Sequence, residues 1–155
     1  MKGITIAEEC HVINGIGAVD TNSGVKTSTA WSMEDYQHAS IIITTGVVGN
    51  TTTFTVFNGT TQAMGTEAAI GFDYYAELAV AGDTLGARTT VANTGFATGT
   101  ANSNTFVIEI DASELTAGYN WMRVKSDAAV ASLISVVVIL SGARYASTAA
   151  RTAIV

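Results

Sequence analysis

The chain has 155 residues, of which 48% are hydrophobic and only 13% charged, so its length suits one domain with a sizeable core and its surface is left to Thr, Ser, Asn, Gly and Ala. The net charge is -6, and the seven basic residues (Lys2, Lys26, Arg88, Arg123, Lys125, Arg144, Arg151) are scattered. No cluster of them can neutralise a row of phosphates, which argues against nucleic acid or an anionic membrane as partner.

The start, "MKGITIAEEC", has one lysine, two acids and no long apolar run, so no signal peptide is expected. Residues 1–11 are treated as a lead-in that can be extended. The single cysteine, Cys10, rules out an intrachain disulfide framework. Beyond it the chain reads as strands: β-branched runs, period-two alternation and Gly/Asn punctuation. Eight are expected, at 12–20, 40–48, 52–58, 67–77, 85–92, 104–111, 119–125 and 131–141. Eight short strands at that spacing predict an all-β domain, an antiparallel sandwich or barrel. It occupies 1–142, with a C-terminal arm over 143–155.

Proline is absent, so turns rely on pairs such as Gly49-Asn50 and Asn58-Gly59. Two short helical turns are marked. One is Ser32-Met33-Glu34-Asp35. In the other, Asp111 caps Ser113 or Glu114, Glu114 reaches back to the Asp111 amide, and Gly118 supplies a left-handed stop.

The stretch "NTFVIEIDASELTAGYNWMRVKS" (104–126) is read as a hairpin. Phe106, Ile108 and Ile110 then share the core face with Met122 and Val124. Glu109, Asp111, Tyr119, Trp121, Arg123 and Lys125 share the outer face, with acid–base pairs across the strands. Tyr, Trp and Arg together are the mix enriched at binding hot spots, and a Trp lying under a loop is the bland alternative. In the last strand Leu133, Val137 and Ile139 face one side, and Ile134, Val136, Val138 and Leu140 the other. Both sides are apolar and both should be covered, by a central position between two layers or by another subunit.

Candidate chemistry is sparse. Cys10 and His11 are neighbours, and on a strand neighbouring side chains point to opposite faces. His38 lies near Asp35 and Ser40, but no strained nucleophile turn such as G-x-S-x-G accompanies it. Two histidines and one cysteine do not make a zinc site, and the acids lack EF-hand spacing. Glu109 and Asp111 share a face, roughly 7 Å apart by strand rise, and are read as salt-pairing rather than as a glycosidase pair. No catalytic, metal or cofactor residues are assigned, and an enzyme is not expected.

The segments "FVIEIDASEL", "GYNWMRVKSD" and "SVVVILSGARY", with "ASIIITTGVVGNTTTFTVFNGTTQAMGTEAAIGF" upstream, resemble the head decoration, or cement, proteins of tailed bacteriophages. The likeness spans roughly residues 36 to 145 and is strongest at "IEID" and "SGARY". It implies a jelly-roll-like β domain that forms trimers on the outside of the capsid and stabilises the head against internal DNA pressure. The implied partners are copies of itself and the major capsid protein, without nucleic acid, membrane or cofactor. The implied location is the outer surface of the virion, after synthesis in the bacterial cytoplasm. The chain departs from that pattern in the ten residues after Tyr145. The expected subunit or capsid interface is Tyr119, Trp121, Arg123, Arg144, Tyr145, Ile154 and Val155. Two alternatives stand beside it: a neck- or tail-associated β module, and a carbohydrate-binding adhesin using Tyr74, Tyr75, Tyr119 and Trp121.

Overall fold

Alternation of apolar and polar residues becomes two stacked sheets. A computed structural model describes residues 5–127 and 131–144. In chain order the strands are β1 (His11–Asp20), β2 (Trp31–Ser32), β3 (Tyr36–Val48), β4 (Thr53–Gly59), β5 (Glu67–Ile70), β6 (Phe72–Glu77), β7 (Thr89–Val91), β8 (Phe96–Ala97), β9 (Thr105–Asp111), β10 (Trp121–Ser126) and β11 (Ser132–Ala143). One sheet has the order β1-β11-β3-β9-β6-β7, and the other β2-β10-β4-β5, with β8 pairing the start of β4. The named pairings are all antiparallel. The sandwich reading therefore holds, and the barrel alternative is set aside because the two sheets remain separate.

The core lies between the sheets. From the six-stranded sheet come Ile41, Ile43, Ile108, Ile110, Val136, Val138 and Leu140, all buried; from the other come Phe54, Val56, Met122 and Val124, and Trp31 is buried with them. Each such side chain stabilises the fold by about 1.5–3 kcal/mol relative to exposure. Phe96 sits at the hub of an aromatic cluster, 4.5 Å from Tyr74, 4.9 Å from Phe106, 5.9 Å from Phe54 and 6.2 Å from Phe72, ring centre to ring centre. It thereby joins rings of both sheets. Among the described residues the Trp31 Nε1 has no hydrogen-bond partner, a cost the surrounding packing offsets.

Several expectations need correction. The long strand at 67–77 is two strands in different sheets, divided at Gly71, where a Cβ would lie 2.8 Å from the Val91 carbonyl oxygen. The backbone passes too close there for a side chain, and the chain uses that corner to change sheets. The lead-in is not extended throughout, since Ile6–Glu9 forms one helical turn, α1. Ser32 to Asp35 is a strand end and a turn rather than a helix; the Ser32 hydroxyl accepts from the Glu34 amide at 3.2 Å. At the second marked turn Ala112–Glu114 is a 3-10 turn, Glu114 Oε2 accepts from the Asp111 amide at 2.7 Å, and Gly118 has φ of 80°.

The largest correction concerns 104–126, which is not a hairpin. β9 pairs with β3 and β6 in one sheet, while β10 pairs with β2 and β4 in the other. The inward residues are the expected ones, but Glu109 and Asp111 face outward on the opposite side of the sandwich from Trp121, Arg123 and Lys125. The last strand is central within its sheet, because β11 lies between β1 and β3, but it is not sandwiched between two layers. Among the described residues only its inner face is covered. On the outer face Leu133 is 47% exposed, and Val137 and Ile139 are half-buried.

Candidate functional site

On the outer face of the five-stranded sheet, Trp121, Arg123 and Lys125 alternate with the buried Met122, Val124 and Ser126. Trp121 lies opposite Gly59 on one side and Ser32 on the other, and Arg123 opposite Phe57. The organising acid is Glu67, from β5. Its Oε2 accepts from Arg123 Nε at 2.6 Å, and its Oε1 accepts from Lys125 Nζ. Lys125 Nζ also lies 4.4 Å from the centre of the Phe57 ring, a cation–π distance. Glu67 reaches these cations from across β4. It pairs with Gly59, whose missing side chain makes room for the buried Met64 thioether, 2.7 Å from where a Cβ would stand. Burial pushes the Glu67 carboxyl up, but hydrogen bonds from Lys125 and Arg123 outweigh it and hold the group below the usual glutamate range. The result is a half-buried face of Trp, Phe and a cross-braced pair of cations.

The structure thus joins Trp121 and Arg123 of the expected interface. Tyr119 is half-buried in the turn ahead of β10, its amide donating to the Thr116 carbonyl at 2.8 Å. Arg144 is set apart, at the end of the six-stranded sheet. Its amide donates to the Asp35 carbonyl at 2.9 Å, and it borders a depression of about 430 Å³ with Gln37, Asp111 and Ser113. Tyr145, Ile154 and Val155 lie outside the described residues.

The opposite outer face carries a cluster that the expected hairpin concealed. His38, on β3, lies opposite Asp111 on β9. Its Nδ1 is 2.8 Å from Asp111 Oδ1 and its Nε2 2.7 Å from Glu109 Oε2. Ser40 Oγ donates to the same Glu109 oxygen at 2.6 Å. Burial lowers the His38 pKa, while the bonds to Asp111 and Glu109 raise it, and the net direction is upward. Next to it Asp73 accepts from Arg88 and from Thr90 Oγ1; the Arg88 bond first, then the Thr90 bond, holds Asp73 below the usual carboxylate range. A depression of about 200 Å³ lies among His38, Asp73, Tyr75, Arg88, Glu109 and Glu114.

Both imidazole nitrogens of His38 are engaged by carboxylates, and Ser40 bonds Glu109 rather than the ring. The grouping of Asp35, His38 and Ser40 in sequence is therefore not a nucleophile–base arrangement. No group of three or more His, Cys, Asp or Glu among the described residues is placed to hold a metal ion. The aromatics proposed for a sugar groove also diverge. Tyr74 stacks on Phe96 toward the core, Tyr75 lines the His38 depression, and Trp121 lies on the other sheet. Among the described residues no helix is long and apolar enough to cross a membrane.

These observations define the protein as a two-sheet antiparallel β-sandwich with two chemically different outer faces. Comparison with family models and with curated proteins finds no match. Among solved structures the chain is similar to the SPBc2 prophage-derived protein YomS, with a TM-score of 0.46 and 8% identity over 86% of this chain and 94% of that one.

Proposed function

We propose that the protein is a structural component of a phage particle, a decoration protein that binds the outside of the assembled head as an oligomer and stiffens it. The observation that carries this reading is the braced Trp121–Phe57–Arg123–Lys125 face. Its aromatic rings are large and half-buried, and Glu67 holds both cations in place before any partner arrives, so little side-chain entropy is lost on docking. The resemblance of the "IEID" and "SGARY" segments to head decoration proteins supports the same reading. A subunit that touches several shell proteins at once binds only the assembled shell, and mass action then stabilises that state. Repetition over many sites makes modest affinity per site sufficient. No catalytic step is required, and the acidic net charge suits the outside of a DNA-filled shell.

The test is the copy number in purified virions against the major capsid protein. Near-equal numbers support decoration, whereas a handful of copies moves the protein to the neck or tail. Trp121→Ala removes the central ring, and an anchor of this kind is worth about 2 kcal/mol, roughly 30-fold in affinity. Folded Trp121→Ala protein that occupies shells as fully as wild type refutes the assigned face.

A further inference from the structure

His38 makes a pair of contacts that a neutral imidazole cannot satisfy. The neutral ring carries one N–H and one bare nitrogen, whereas the imidazolium carries two N–H donors. Here Nδ1 lies 2.8 Å from Asp111 Oδ1, and Nε2 lies 2.7 Å from Glu109 Oε2. An ionised carboxylate only accepts, so both contacts are hydrogen bonds only while both ring nitrogens hold a proton. Once one proton is lost, a bare nitrogen faces a carboxylate oxygen at the same distance, and that contact turns from attractive to repulsive.

The two acids are not equivalent. The Asp111 side chain is 62% exposed and that of Glu109 34%. Water can take over Asp111 more readily than the better-shielded Glu109, so the last proton stays on Nε2 and the Asp111 contact opens first. Asp111 also begins the next element. It caps the 3-10 turn Ala112–Glu114, accepting from the Glu114 amide, while Glu114 Oε2 accepts from the Asp111 amide at 2.7 Å. One carboxylate thus ties β3 to the turn that leaves the sheet. The other groups around the ring are Asp73 and Tyr75 from β6, Arg88 ahead of β7, and Glu114 from the turn. From β11, Ser141 lies opposite His38, and Arg144 borders the depression on the far side of Asp111. Arg88 is held by Asp73, which leaves His38 as the cation bridging Glu109 and Asp111.

We infer that His38 is a pH-sensitive clasp: doubly protonated, it holds β3 to Glu109 and Asp111, and on giving the Nδ1 proton to solvent it releases Asp111 and loosens the Ala112–Glu114 turn from β3. Burial works against the charged ring, and the bonds to Asp111 and Glu109 outweigh it, so the His38 pKa lies above its ordinary 6.5. The clasp is therefore closed below that value and opens as pH rises through the raised one. What it frees is the first turn of the connection that carries the chain from β9 to β10, from one sheet to the other. The clasp does not depend on the proposed docking of the Trp121 face, and the two are tested separately.

The experiment is NMR of the full chain, following the His38 ring nitrogens and the Ala112 methyl group from about pH 5 to about pH 9. Both nitrogens are expected to carry a proton at the low end and Nε2 alone at the high end. The Ala112 methyl, which exchanges no proton itself, should shift with the same midpoint as the ring. Asp111→Asn keeps a residue that caps the turn well but removes the charge that holds the imidazolium. In that variant proton binding by His38 should weaken severalfold, and the Ala112 methyl should no longer follow the ring. The inference is overturned by a wild-type ring with one protonated nitrogen at the low end, or by one that keeps both protons throughout. A neutral ring that retains the Nδ1 proton overturns it too, as does an Ala112 methyl indifferent to the ring's titration. These wild-type readings decide the matter even where the variant is unstable.

Discussion

Truncating Phe96 to alanine tests how the two sheets are joined. The side chain is 4% exposed and stands on a strand of only two residues. Its backbone pairing is correspondingly brief, with Phe96 opposite Phe54 and Ala97 opposite Thr53. The ring, rather than the ladder, therefore anchors this stretch of chain. An aromatic side chain buries roughly 150–250 Å², and Phe→Ala in a core costs about 3–5 kcal/mol once the residual cavity is included. Four aromatic neighbours, two of them within 5 Å between ring centres (Tyr74 at 4.5 Å and Phe106 at 4.9 Å), put this site in the upper half of that range, near 4 kcal/mol. For a chain of this length each kcal/mol lowers Tm by about 2–4 °C, so the expected fall is about 8–16 °C. The assay is urea unfolding followed by tryptophan fluorescence, at one fixed protein concentration because any oligomer shifts the midpoint. Buried Trp31 serves as reporter. Phe57→Ala, on the half-buried outer face, is the control and should cost about 1 kcal/mol. A Phe96→Ala loss no larger than that of the control would refute the view that this ring ties the sheets together.

The two outer faces make pH predictions of opposite sign. Glu67→Gln should cost about 1 kcal/mol near neutral pH, because Arg123 and Lys125 lose their shared carboxylate while partly shielded from water. The Glu67 pKa lies below its ordinary 4.5, so its contribution is present above that value and fades as pH falls through the lowered one. Urea midpoints of wild type and variant should therefore converge as the pH is taken well below 4.5, and a gap that does not narrow contradicts the ion pair. The His38 pKa lies above its ordinary 6.5, so its contribution is complete below that value and disappears as pH rises through the raised one. His38→Asn should consequently be more destabilising near pH 5.5 than near pH 9. An NMR titration of the imidazole should give a midpoint above 6.5, and a midpoint below it contradicts the double carboxylate contact.

The inward residues were legible in the sequence because side-chain period is a local property. Phe106, Ile108, Ile110, Met122 and Val124 all point inward as the alternation requires. Which strands lie side by side is not local. The connection between β9 and β10 runs from Ala112 to Asn120, longer than the two to five residues that usually close a hairpin. It carries its own capped 3-10 turn, and that length crosses from one sheet to the other. Equal parity across the gap was correct for both strands and carried no information about their partners. The short strands β2 and β8 are not legible in the sequence for a related reason: two residues hold no period, and only the burial of Trp31 and Phe96 marks them.

The same distinction governs the charged groups. Read as one hairpin, Glu109 and Asp111 would neutralise Arg123 and Lys125, leaving His38 and Glu67 without roles. With the strands in separate sheets the two acids engage His38, while the two cations require another acid and find Glu67 across β4. Each sheet thus pairs charges on its own outer face, with one cation in excess around Glu67 and carboxylate in excess around His38. Neither face depends on the other for neutralisation, so one can be buried against a partner without uncovering charge on the second. That separation leaves the cation-and-aromatic face of the five-stranded sheet chemically distinct from the carboxylate-rich face of the six-stranded one. A double variant combining Glu67→Gln with His38→Asn should then show the sum of the two single stability losses, because the two clusters share no residue and lie on different sheets.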